Sequence, residues 1–262
     1  MLLQDKNAIV YGAAGSIGAA VAARFAAEGA RVFLVGRTQD SLDRTAKEIT
    51  EAGGKAEVAV FDALDEQAVD AHARSVADVA GGVDISFNLI SGGDIQGIPL
   101  ADMTTADFTR PVVTRLTANF ITARAAARHM VKQGSGVILA LDSGSAHGSP
   151  LMGGTGPADA ATDTLVRNLA AELGPSGVRV AGLWTAGLPE TLSPAKIAAH
   201  SGLPPMDDAA FQGLLGHLDS MRMTRRSPTL AEVAATAVFL ASDHAGAITG
   251  TFVNVTGGMF PS

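Results

Sequence analysis

Short β-rich runs alternate with longer amphipathic stretches along almost the whole chain, and this alternation restricts the fold more than any other feature. Strand, helix and strand in succession build a parallel sheet, which needs helices on both faces to bury it. Residues 7–11 read as a first strand, apolar after the first position. Residues 17–28 carry apolar side chains at helical spacing and stop at Gly29. Further strands are expected at 31–35, 56–61, 84–90, 137–141, 178–183 and 251–255. Helices are expected at 41–52, 66–80, 105–113, 114–133, 158–173 and 232–241. The class implied is α/β: a doubly wound parallel sheet flanked by helices, in three layers. No linker, repeat or low-complexity tract intervenes, so the 262 residues read as a single domain. Residues 185–228, with Pro189, Pro194, Pro204 and Pro205, read as a lid or binding loop, or else as a surface insertion with short helices. The alanine-rich stretches 118–127 and 158–171 suit either subunit contact or core packing.

After the first strand comes Gly12-Ala13-Ala14-Gly15-Ser16-Ile17-Gly18, leading directly into a helix. This is the layout of a turn that binds a dinucleotide pyrophosphate. Gly12 permits a tight reversal, and Gly15, Ser16 and Ile17 let main-chain N–H groups approach the phosphates. Gly18 lets helix and strand pack closely. The helix start adds N–H groups without partners and the positive end of its dipole. The alternative is a glycine-rich turn that serves packing alone. The second strand ends Leu34-Val35-Gly36-Arg37-Thr38. An NAD site places an acid here for the ribose 2′-hydroxyl; Gly36 offers none, while Arg37 and Thr38 suit a 2′-phosphate. NADP(H) is therefore expected over NAD(H), the alternative being a solvated arginine. Asp62, ending the third strand, is placed to receive the adenine amino group.

Further along stand Asp84-Ile85-Ser86-Phe87-Asn88, residues 137–143, Gly177-Val178-Arg179-Val180 and Phe239-Leu240-Ala241-Ser242-Asp243. Ile248-Thr249-Gly250 and Val253-Asn254-Val255-Thr256-Gly257-Gly258 close the series. With the glycine turn and Asp62, these resemble the short-chain dehydrogenase/reductase family, classical type, over nearly the whole chain. The resemblance implies a Rossmann-type sheet of seven parallel strands and hydride transfer between NAD(P) and a carbonyl or alcohol. It also implies a homodimer or homotetramer. The match departs at the turn, where Ser16 replaces a glycine and Gly15 has the spacing of the family's extended branch. Asn88 keeps the first residue of an Asn-Asn-Ala-Gly stretch otherwise replaced by Leu89, Ile90 and Ser91. Asn88 and Ser91 are carried over as cofactor contacts. The family's Pro-Gly pair after the sixth strand is reduced to Ala186-Gly187. Thr191 can reach the nicotinamide amide if that strand is one residue longer.

Members of the family use a serine to hold the substrate oxygen and a tyrosine as general acid/base. A lysine four residues on lowers the tyrosine's pKa, and an asparagine on the preceding long helix holds a water. Family spacing puts the serine on Ser143, the tyrosine position on Thr155, the lysine position on Asp159 and the asparagine position on Arg115. The only tyrosine is Tyr11, in the first strand, so no other fills in. A phenol of pKa near 10 can be shifted into range by a cation, whereas a threonine hydroxyl is too weak an acid. A charged Asp159 would raise a neighbouring acid's pKa, so the ordinary relay cannot operate. Arg115 and Asp159 keep the local charge balanced with its signs rearranged, and a salt bridge between them is expected beneath the nicotinamide subsite. The alternative for Asp159 is a first-turn acid favoured by the helix dipole after a Thr155-Gly156-Pro157 cap. Asp142 and His147 flank Ser143. His147 is the best substitute proton donor, its alternative being a solvated loop histidine. His72, His129, His200, His217 and His244 have no partner spacing, and no metal site is expected.

Composition narrows the partners. Nineteen Lys and Arg against 26 Asp and Glu leave a net charge of −7, which argues against a phosphate-backbone binder. No apolar run nears the ~20 residues of a membrane span, and Gln4, Asp5 and Lys6 interrupt any signal-peptide core. The absence of cysteine excludes disulfides, thiolate nucleophiles and thiolate metal sites, and suits a cytoplasmic protein. The partners expected are a small, fairly apolar substrate and a nucleotide. Three readings follow: an oxidoreductase with an atypical proton path, through His147, Asp142 or water; a silent nucleotide-sensing or partner-binding subunit; and a lyase using Asp159 or His147.

Overall fold

A computed structural model describes residues 1–201 and 204–260, the side chain of His200 excepted, so the reading of that histidine lies outside the described residues. Strands β1 (Asn7–Tyr11), β2 (Arg31–Gly36), β3 (Lys55–Val60) and β4 (Ile85–Asn88) are followed by β5 (Gly136–Asp142), β6 (Val178–Trp184) and β7 (Phe252–Asn254). All seven run parallel in one sheet of order β3-β2-β1-β4-β5-β6-β7. Helices α1 (Ser16–Ala27), α2 (Gln39–Glu51), α3 (Glu66–Ala80) and α4 (Thr105–Gln133) precede α5 (Thr155–Leu173), α6 (Pro194–Ser201), α7 (Asp208–Ser220) and α8 (Leu230–Ala241). Chain order reverses between β1 and β4, and a crevice at the carboxyl ends of strands there is where such sheets take ligands.

Each face of the sheet has its own core. Val10, Leu34 and Phe87 pack with Phe25 of α1, Leu42 of α2 and Val238 of α8. Ile9, Tyr11 and Val35 pack on the other side with Val76 of α3, Met130 of α4 and Val166 of α5. Burial on both faces explains why β1 reads as an unbroken apolar run rather than an alternation. Tyr11 is part of this core, fully buried, and burial pushes its phenol far above the usual range.

Several boundaries differ from expectation for local reasons. The two helices expected at 105–113 and 114–133 are one 29-residue helix. Pro111 lies within it, and its buried ring faces Gly154, where an added Cβ would meet Pro111 Cγ at 2.8 Å. The helix expected to start at 158 begins at Thr155, capped by Gly154 without a side-chain bond. Asp159 is therefore the fifth residue of α5, past the first turn, and the dipole reading of it is set aside. Helix α8 begins at 230 rather than 232 because Thr229 and Glu232 form a reciprocal capping box. Strand β4 is shorter than the 84–90 expected, and β6 runs one residue longer, to Trp184. The 185–228 insertion holds α6 and α7 among its described residues. Ala118, Ala125, Ala126, Ala158 and Ala170 are buried within the chain, so these alanines serve core packing. Among the described residues no helix is long and apolar enough to cross a membrane, and no group of His, Asp and Glu could hold a metal.

Candidate active site

The glycine turn closes against the sheet's centre. Gly12 has φ +78°, and a Cβ there would meet Leu89 O at 2.6 Å; a Cβ on Gly18 would run into Gly12 O. Gly15 caps α1 with no side-chain bond, so first-turn N–H groups of Ser16, Ile17 and Gly18 face outward unmasked. A cradle of main-chain donors at a helix start fits a pyrophosphate. At the ends of β2 and β3, exposed Arg37 lies 3.9 Å from Asp62, whose other oxygen accepts from Leu64 N. Thr38 caps α2 without using its hydroxyl. Asn88 is buried, its amide donating to Asn119 Oδ1 at 2.8 Å and accepting from Ile90 N. Ser91, exposed, accepts from Gly93 N.

At the ends of β4 and β5 the structure brings Ser143, Thr155, Asp159 and Arg115 into one network. Arg115 Nη1 donates to Asp159 Oδ1 at 2.5 Å, the salt bridge expected from their paired substitution. The other oxygen of Asp159 accepts from Ser143 Oγ at 2.6 Å, Ser145 N at 2.9 Å and Ser143 N at 3.2 Å. Ser143 Oγ also lies 2.6 Å from Ser145 Oγ. A second carboxylate joins from the loop after β4: Asp94 Oδ1 accepts from Arg115 Nη2 at 3.1 Å and from Thr155 Oγ1 at 2.7 Å. Gln96 donates to the same threonine at 3.3 Å. The loop lies tight over α5, since a Cβ on Gly153 would meet Ile95 O at 2.7 Å. Thr155 is thereby buried, 2% exposed. Asp94, Gln96 and Ser145 escaped sequence reading because nothing in spacing marks a loop residue that folds back on a helix start.

The two flanking residues do not join the network as expected. Asp142 is turned inside, and its Oδ1 accepts from Gly144 N while Oδ2 has no partner. Burial first, then the charges of Asp159 and Asp163, push its carboxyl up to about 9. Burial also raises Asp159, opposed by Arg115 and the surrounding donors. At neutral pH Asp142 thus keeps its proton, and it makes none of the bonds around Ser143. His147 is exposed, its ring edge-on to Trp184 at 4.9 Å, and it shares none of the bonds around Ser143.

Beyond β6, Gly187 has φ +56° and Thr191 Oγ1 donates to Leu188 O. The loop is held by a residue the sequence did not single out, Arg222, which is 1% exposed. Its guanidinium donates to the carbonyls of Ala186 (2.7 Å), Gly187 (3.1 Å), Leu218 (2.5 Å) and Thr256 (3.1 Å).

The chain is 33% identical to the short-chain reductase protein NovJ of Streptomyces niveus, over 97% of this chain and 94% of that protein. The structure of 7alpha-hydroxysteroid dehydrogenase complexed with NADH and 7-oxo glycochenodeoxycholic acid matches with TM-score 0.83 at 29% identity, covering 98% of this chain and 94% of that one. NAD+-bound xylitol dehydrogenase matches with TM-score 0.87 at 25% identity, covering 98% and 100%. A family model described as enoyl-(acyl carrier protein) reductase matches residues 12–260. A match of that extent, on a seven-stranded parallel sheet with its glycine turn in place, means that the chain belongs to the short-chain dehydrogenase/reductase family of oxidoreductases.

Proposed function

We propose that the protein moves a hydride between NADP(H) and a small, fairly apolar alcohol or carbonyl, with a proton path that uses neither tyrosine nor lysine. Gly12, Gly15, Ser16, Ile17 and Gly18 would hold the pyrophosphate, and Arg37 and Thr38 the 2′-phosphate, with Asp62 beside the adenine. Main-chain groups near Asn88 and Ser91, with Gly187 and Thr191, would face the nicotinamide half; β6 has the extra residue that reach to Thr191 requires. The preference for NADP(H) rests on Gly36, which leaves β2 without a terminal acid, and on the exposed Arg37. The relatives that carry NADH or NAD+ make NAD(H) the form to test against it.

The observation that carries the proton path is the 2.6 Å bond from Ser143 Oγ to Asp159 Oδ2. When bound, the nicotinamide ring accepts or gives the hydride. In the oxidative direction the substrate O–H proton passes to Ser143 Oγ as the serine's own proton passes to Asp159 Oδ2. Burial lifts Asp159 and so makes it a stronger base than an exposed aspartate. Ser145 Oγ holds the serine hydroxyl in place meanwhile, and the N–H groups of Ser143 and Ser145 hold the carboxylate.

Titration with NADPH and NADH, followed by turnover on a panel of alcohols and ketones, tests this reading. NADPH binding tighter than NADH, with turnover lost in Ser143→Ala and retained in His147→Ala and Thr155→Ala, is the expected result. Turnover that survives Ser143→Ala, or failure to bind either nucleotide, overturns it. One observation favours the silent reading instead: Thr155 is covered by Asp94 and Gln96. Binding without turnover on any compound would select that reading.

A further inference from the structure

Arg222 stands where the ends of the 185–228 insertion meet. Its side chain is wholly buried, and among the described residues no carboxylate lies within ion-pair distance of it. Burial disfavours the guanidinium charge, the nearby Asp219 opposes this without an ion pair, and four main-chain carbonyls meet the N–H groups. Those carbonyls come from three separate pieces of chain. Ala186 and Gly187 begin the insertion after β6, Leu218 lies in the last turns of α7, and Thr256 follows β7. The fit is close on each side. A Cβ on Gly187 would come within 3.2 Å of Arg222 Nη2, and one on Gly257 within 3.2 Å of Arg222 Cδ. Thr224 adds a second tie, its N–H donating to Gly257 O at 3.1 Å.

We propose that Arg222 is a positioning residue that clamps the base of the substrate-covering insertion and so holds Gly187 and Thr191 against the nicotinamide half of the cofactor. The clamp rests on the cofactor reading above. It predicts a division within the cofactor: the adenosine half meets β1, β2 and α1, which Arg222 does not touch, whereas the nicotinamide half meets the clamped loop. Lysine cannot replace arginine here, because one ammonium cannot span carbonyls on three segments in a fixed fork.

The test titrates wild type, Arg222→Lys and Arg222→Met with whichever reduced cofactor binds, and with the matching fragment that lacks nicotinamide, 2′-phospho-ADP-ribose or ADP-ribose. Hydrogen exchange of peptides covering 185–192 and 255–258 is followed in parallel. Both variants are expected to lose about tenfold or more in affinity for the whole cofactor, the equivalent of about 1.4 kcal/mol. The fragment should bind each of them within about twofold of wild type. Equal weakening of cofactor and fragment, or no weakening of either, overturns the clamp. If neither variant folds, wild type decides: the two peptides should open at one common rate, and separate rates overturn the proposal. A wild-type protein that binds no nucleotide removes the cofactor reading, while the common opening rate still decides whether Arg222 joins the segments.

Discussion

Both oxygens of the buried Asp159 carboxylate are taken, one by Arg115 and the other by Ser143 and Ser145. Removing such an acid leaves Arg115 Nη1 and the donors on Ser143 and Ser145 without their acceptor, with only Asp94 still pairing the guanidinium. Asp159→Ala is therefore expected to cost about 3–5 kcal/mol of stability, read from urea unfolding. The double variant with Arg115→Ala should cost less than the sum of the two singles, because they share one interaction. Asp142 makes the opposite kind of prediction. Its folded pKa of about 9 lies above the unfolded value near 3.9, so between those limits the native state holds one proton more. Its contribution is complete below about pH 4 and is lost as pH rises through about 9, by up to about 1.4 kcal/mol per pH unit. Urea midpoints from pH 5 to pH 8 should fall more steeply for wild type than for Asp142→Asn; parallel profiles would refute the raised value. The paired charges of Arg115 and Asp159 mark one of these acids in the sequence, whereas nothing in the spacing of Asp142 shows that burial keeps it protonated.

At the scale of elements, close backbone approach decides where glycine stands. A Cβ on Gly18 would collide with Gly12 O, and one on Gly154 with Phe108 O where α5 starts against α4. Overpacking of this kind costs about 1–3 kcal/mol. Gly18→Ala should in addition weaken nucleotide binding by distorting the turn, whereas Gly154→Ala should lower stability while leaving the turn intact. Calorimetric titration beside thermal unfolding separates the two. The cap of α8 is a simpler case. Thr229→Ala removes the bond to Glu232 N and should cost about 1 kcal/mol. The bounds of α3, 66–80, were readable from its helical spacing, although α8 was expected to start at 232, past its Thr229–Glu232 cap. The unity of α4 was not, because only its packing on Gly154 shows that Pro111 is accommodated within a helix.

For the whole molecule, nucleotide binding and folding are linked. A cofactor present at about 100 times its Kd should raise stability by about 2.7 kcal/mol, seen as a higher unfolding midpoint. Arg37→Ala should remove most of the difference between NADPH and NADH in this measurement, since the 2′-phosphate then loses its cation. If NADH protects as well as NADPH in wild type, Arg37 is only a solvated partner of Asp62.

The sequence by itself determined the sheet and its glycine turn, because hydrophobic period and glycine placement are local constraints carried by neighbouring residues. It also pointed to the Arg115–Asp159 pair, because two substitutions of opposite charge at linked positions announce each other. Only the tertiary structure decided that Asp94 closes over Thr155, that Asp142 turns away from the site and that Arg222 ties three segments together. Those arrangements depend on which loop lies over which helix. Burial and hydrogen bonding between distant segments set them, and no stretch of chain encodes such contacts alone.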